Sequence, residues 1–272
     1  MSAARKADDA LLVTIRRLGS PGECWEGQLI ANRILYLHVG THKTGTTSFQ
    51  HFLMDRRDGL ADHGLAVFPG RYPRRVGPPQ EVGNAWLLAD AFLRRDLMST
   101  MRLKAAQGRC GPLQGWSEKA RLEKFLAEAT QFGVVVSAEA FCLLRTNPEA
   151  THLKNYLTRL DCDVVPILVT RNAESWRASH NNQLVRMHYY GPEVDGLPDT
   201  RRVDGNWYYD AQAIAAFWSD IGPLVQIDYD GVMAGEGSII PAMMAALGLP
   251  DFGAGVDYRL NARRPYPGTT PA

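Results

Sequence analysis

Residues 35–53 read LYLHVGTHKTGTTSFQHFL. The first part completes an apolar run, 34–40, that ends in glycine, as a strand covered on both faces requires. The last part spaces Phe49, Phe52 and Leu53 at i, i+3 and i+4, the inward stripe of a helix predicted from Thr46 to about Arg57. Between strand and helix stands G-T-H-K-T-G-T-T. Gly40 and Gly45 permit a tight turn with inward-pointing N–H groups, and the helix adds its positive end. Lys43 supplies a full charge; Thr44, Thr46 and Thr47 supply hydroxyls. A turn whose threonines only cap a helix needs neither the lysine nor the glycine pair. The segment is built to hold a phosphate. In the ATP-binding P-loop, however, the lysine follows the second glycine, whereas here it precedes Gly45.

Outward from this loop, short apolar runs alternate with helical patterns. Strands are predicted at 64–70, 132–141, 161–172 and 223–230, and helices at 85–98, 117–131, 147–160, 173–189, 208–222 and 238–249. Such alternation predicts an α/β fold, with a doubly wound, mostly parallel sheet and helices on both faces. Ligands of these sheets sit at the carboxyl ends of strands, here Gly40–Thr47, Ser137–Glu139, Thr170–Asn172 and Asp228–Asp230. Residues 71–84, rich in Pro, Gly and Arg, read as a long loop. The main domain is expected over 33–260, after an accessory segment 1–32 and before a loose tail 261–272.

With 272 residues and 45% hydrophobic content, the chain can bury one large α/β core. Thirty basic and 29 acidic residues leave a net charge of +1, so no global attraction to nucleic acid is expected and an anion site must be local. Cys24, Cys110, Cys142 and Cys162 show no metal-ligand spacing and read as free thiols. The apolar stretch Ala10–Ile15 is too short for a membrane span, and a cytoplasmic protein is expected. Oligomeric state is not legible.

The loop GTHKTGTTS, followed by VTRNAESWRAS (169–179), resembles the sulfotransferases that use 3′-phosphoadenosine 5′-phosphosulfate. In that family a loop of type [ST]-x-x-K-[ST]-G-[TS]-[TS] binds the phosphosulfate side of the donor. A second strand, ending R-[ND]-P and followed by a helix with a serine eight residues after the arginine, binds the 3′-phosphate. Arg171 and Ser179 have that spacing; Ala173 stands where the family commonly has proline, which starts the helix but touches no ligand. An arginine fork and a serine hydroxyl can converge on one phosphate. LVQIDYDGVM (224–233) resembles the family's late strand, which makes Tyr229 a candidate for stacking on adenine. The resemblance spans roughly 33–250 and implies the phosphosulfate donor, no metal, and a carbohydrate, glycolipid or secondary-metabolite acceptor.

Sulfuryl transfer needs in-line geometry, charge stabilisation and a base. Lys43 lies where it can neutralise the leaving oxygen. The resemblance places the base at the end of the strand before Arg171, where this chain has Glu139; His63, His180 and Glu81 are rivals. His42, inside the loop, can polarise the donor. The loop 71–84, with Arg71, Arg74 and Arg75, and the aromatic stretch Tyr189–Tyr209 are candidate acceptor walls, and Gln183 lies one turn beyond Ser179. Two other classes stay open. One is an ATP-dependent P-loop kinase, for which Asp228 is the nearest magnesium carboxylate; the other is a nucleotide-binding module without chemistry.

Overall fold

The computed structural model describes residues 33–97, 99–186, 207–256 and 258. The accessory segment, the tail, Cys24, the far end of the helix expected to reach residue 189, the loop 191–206 and the side chain of Gln183 lie outside the described residues.

Strand β1 (Arg33–Gly40) is the centre of a five-stranded parallel sheet. Counted along the chain, β2 (Leu65–Val67), β5 (Gly133–Ser137), β6 (Cys162–Thr170) and β7 (Val225–Asp228) complete the order β2-β5-β1-β6-β7. Ile34 to His38 pair with Gly133 to Ser137 on one side, and Arg33 to Gly40 with Cys162 to Val169 on the other. The chain leaves β1 for β2, returns through β5, then crosses over β1 to β6. This reversal opens a crevice at the carboxyl end of β1, the position where open α/β sheets bind ligands.

Alternate residues of the buried strands enter two separate cores. Leu35, Leu37, Val136 and Leu168 meet helices α3 (Trp86–Asp90), α5 (Gly115–Glu128), α6 (Asn147–Leu157) and α8 (Ala211–Ile221). Tyr36, Val135, Ile167 and Val169 meet α1 (Thr46–Asp55) and α10 (Ile240–Ala246), with Phe49, Phe52 and Leu53 forming the stripe read from the sequence. Apolar burial on both faces is why these strands read as continuous hydrophobic runs. The parallel, doubly wound α/β expectation therefore holds.

Several elements differ from their expected form. The first helix stops at Asp55, and a short helix α2 (Arg57–Asp62) follows. Residues 71–84 are not simply a loop: β3 (Gly70–Tyr72) and β4 (Gln80–Val82) form an antiparallel hairpin in which Arg71 opposes Glu81. The helix expected over 85–98 ends at Asp90, and α4 (Thr100–Ala106) begins a separate turn. Arg102 explains the break, since it donates to the carbonyls of Arg94 (2.6 Å), Leu97 (2.8 Å) and Leu93 (3.2 Å), groups that a continued helix would have satisfied internally. Glu139 lies just beyond its strand, at the first residue of a 3₁₀ turn, Glu139–Leu143. Further on come α7 (Ala173–Arg186), a 3₁₀ turn at Trp207–Tyr209, α9 (Tyr229–Gly235) and α11 (Pro250–Gly253). No helix of the described residues is long and apolar enough to cross a membrane.

Candidate active site

The loop from Gly40 to Thr46 hangs on β6. Thr41 gives both its N–H (3.2 Å) and its hydroxyl (3.1 Å) to the carbonyl of Val169. Thr44 is buried and donates its hydroxyl to the Thr41 carbonyl at 2.6 Å. Lys43 (φ 71°) and Gly45 (φ 75°) both take the left-handed conformation. Left-handed residues before a helix start are the kind of turn that can aim backbone N–H groups at an anion. Gly40 must lack a side chain because an added Cβ would collide with Thr46 and crowd the His38 ring.

Arg171, just past the end of β6, reaches this loop and donates to the Lys43 carbonyl at 3.1 Å. Its Nε donates to Ser175 (3.0 Å), its charge pairs with Asp230 (3.2 Å), and it lies 5.1 Å above the Tyr229 ring. Tyr229 in turn stands beside Gly45. Asn172 caps α7, its side-chain oxygen accepting from the N–H groups of Glu174 and Ser175. Lys43, Arg171 and Tyr229 thus share one end of the sheet. Ser179 is half-buried, one turn beyond Ser175 and in the same helical row; it is Ser175, absent from the sequence reading, that bonds Arg171.

On the other side of the loop, Glu139 accepts a short hydrogen bond from the Thr46 hydroxyl. Its second oxygen is 3.7 Å from His42 Nε2. The opposite ring nitrogen, Nδ1, lies 2.6 Å from the Tyr208 hydroxyl. His180 is buried and stacks on Tyr208 (4.9 Å between rings) and on His42 (5.7 Å). Burial first, then the charges of His42 and Lys43, push the His180 pKa down to about 3. The other two rival bases sit elsewhere. His63 precedes β2, at the amino ends of the strands, with Nδ1 on the Gly59 carbonyl; Glu81 is exposed on the hairpin and faces Arg57.

A cavity of about 320 Å³ opens beside this group. His42, Thr47 and Glu139 line it, together with His51, Tyr72, Asn84, Trp86 and Lys104. Asn84 Oδ1 and Trp86 Nε1 are buried and find no hydrogen-bond partner among the described residues. Of the arginines read as acceptor contacts, Arg71 instead faces the buried Glu118 at 3.9 Å, and Arg74 and Arg75 are exposed. The hairpin does supply cavity wall, through Tyr72 and Val82. Asp228, the sequence's magnesium candidate, accepts from the N–H of Asp230 and caps α9. Among the described residues no cluster of three His, Cys, Asp or Glu side chains could hold a metal ion. Cys110, Cys142 and Cys162 are free thiols.

Tyr208 falls within the aromatic stretch read as an acceptor wall, but its contact with His42, 166 residues away, had no sequence signal. No protein-family model matches the chain, and no curated protein matches it in sequence. Among solved structures, a sulfotransferase from Alicyclobacillus acidocaldarius matches 88% of this chain and 88% of its own, with 16% identity and a TM-score of 0.46. A chain from the PezAT chromosomal toxin–antitoxin system of Streptococcus pneumoniae matches 91% of this chain and 95% of its own, with 12% identity and a TM-score of 0.35.

Proposed function

We propose that this protein moves a sulfuryl group from 3′-phosphoadenosine 5′-phosphosulfate to a hydroxyl of a small acceptor: a sugar, the head of a glycolipid or a secondary metabolite. One observation carries the reading. A loop with Lys43 and Gly45 in the left-handed conformation is touched by an arginine from the neighbouring strand, and its His42 and Thr47 line a cavity that Glu139 also lines. The loop, the Lys43 ammonium and the Thr47 hydroxyl suit the phosphosulfate end of the donor. Arg171, with Ser175 and Ser179 in one helical row, suits the ribose phosphate, and Tyr229 offers a ring for the base.

The donor supplies a sulfur–oxygen bond whose phosphate is a good leaving group. Lys43 stabilises the charge that grows on that oxygen as the bond breaks. Glu139 takes the proton of the acceptor hydroxyl while its oxygen bonds to sulfur. The cavity lies at the small end of the range for ligand sites and suits a sugar-sized group. The chemistry calls for no metal, and three free thiols suit the reducing cytoplasm.

Calorimetry tests this directly. Adenosine 3′,5′-bisphosphate is expected to bind without added metal, and Lys43→Ala to weaken it roughly 10- to 100-fold, the loss of one charge-assisted contact. Tight binding of magnesium–ATP with no binding of the bisphosphate would overturn the reading in favour of a kinase.

A further inference from the structure

We propose that His42 takes up a proton when a phosphorylated nucleotide enters the loop, and that the resulting imidazolium pairs with the Glu139 carboxylate that serves as the base. The inference rests on the donor reading above. Thr46, the first residue of α1, donates its hydroxyl to Glu139. The carboxylate therefore sits within one hydrogen bond of the loop that receives the anion. A phosphate arriving there puts like charges a few ångströms apart in a half-buried setting, which raises the proton affinity of neighbouring groups.

The new proton has one well-prepared place. A protonated imidazole carries two N–H donors. His42 has an oxygen opposite each nitrogen: Tyr208 at 2.6 Å from Nδ1 and Glu139 at 3.7 Å from Nε2. The other titratable groups around the pair are less suited. Lys43 is already a cation. His180, stacked on His42 from α7, is held neutral by burial. Cys142, from the 3₁₀ turn, is buried with its sulfur 3.9 Å from Nδ1. Tyr208 and Tyr209 are buried phenols. Beyond the loop, Arg171 and Asp230 neutralise each other. Asp90, His51 and Lys104 stand along the cavity, and Asp90 is paired with Arg102. A charged His42 pairs with the Glu139 carboxylate across the 3.7 Å between them and steadies it beside the cavity that both residues line.

The experiment is calorimetry of adenosine 3′,5′-bisphosphate in buffers of different ionisation enthalpy, at about pH 7.5, where phosphates with a second pKa of about 6 are already ionised. Wild type is expected to absorb about half a proton or more per bound nucleotide, and its affinity to fall about tenfold between roughly pH 6.5 and 8.5. That trend is opposite in sign to the titration of the nucleotide itself. His42→Asn should abolish the uptake. Glu139→Gln, which keeps an oxygen for Thr46, should at least halve it. Binding with no uptake, or with equal uptake in wild type and His42→Asn, overturns the inference and leaves the donor site standing. No binding of the bisphosphate overturns both.

Discussion

Lys43 combines a charge with a backbone angle that side chains avoid. Its φ of 71° lies in the left-handed region, where an L-residue pays about 1–2 kcal/mol that glycine does not. The loop tolerates this because Thr41 and Thr44 brace it from within and Arg171 holds the Lys43 carbonyl from outside. Strain retained at such a position is expected where the side chain does chemistry. Two substitutions separate the angle from the charge. Lys43→Gly and Lys43→Ala should both weaken nucleotide binding, but the glycine variant should be about 1 kcal/mol more stable in urea unfolding. Equal stabilities would mean that the loop relaxes freely and that the angle carries no cost.

The β3–β4 hairpin helps to wall the cavity beside the loop, and it is seated by contact with α1. A Cβ added to Gly83 would drive into the backbone carbonyl of Gln50. Gly83→Ala should therefore push the hairpin off α1, raising the acceptor KM several-fold while leaving bisphosphate affinity close to wild type. Weakened bisphosphate binding of the same size would show that the shift passes through α1 into the loop. This element also marks the limit of legibility. The loop, the buried strands and the inward face of α1 were readable because their signals lie within a dozen residues: glycine pairs, apolar runs, i, i+4 spacing. The hairpin hid behind its Pro and Gly content, and the break after Asp90 depends on Arg102 gathering carbonyls from four residues. The partner of Arg171 in its own helix, Ser175, was one turn short of the serine that motif spacing selects. The His42–Tyr208 contact was invisible because only the folded chain brings its two ends together.

At the scale of the whole molecule, two histidines among the described residues are buried, on opposite faces of the sheet, yet respond to acid alike. His38, in the central strand, faces Ser137 at 2.8 Å, and Gln50 donates to that hydroxyl, which directs the serine hydrogen toward Nδ1. Burial pushes the pKa of His38 down to about 3, and burial with neighbouring charge does the same for His180. Both values lie below the ordinary value of about 6.5, so the unfolded chain binds more protons as pH falls. Each histidine therefore contributes stability that is complete above about pH 6.5 and is lost toward pH 3, at up to about 1.4 kcal/mol per pH unit. Between pH 7 and 5 the two together should remove about 4 kcal/mol. Carboxylates contribute to the same slope, so the comparison must be with variants. His38→Gln and His180→Phe, the latter keeping a ring against Tyr208, should each lose about 2 kcal/mol less than wild type over that interval in urea unfolding. A variant that follows the wild-type curve would mean that its histidine is already charged in the folded protein, and for His180 that result would place a second cation against His42.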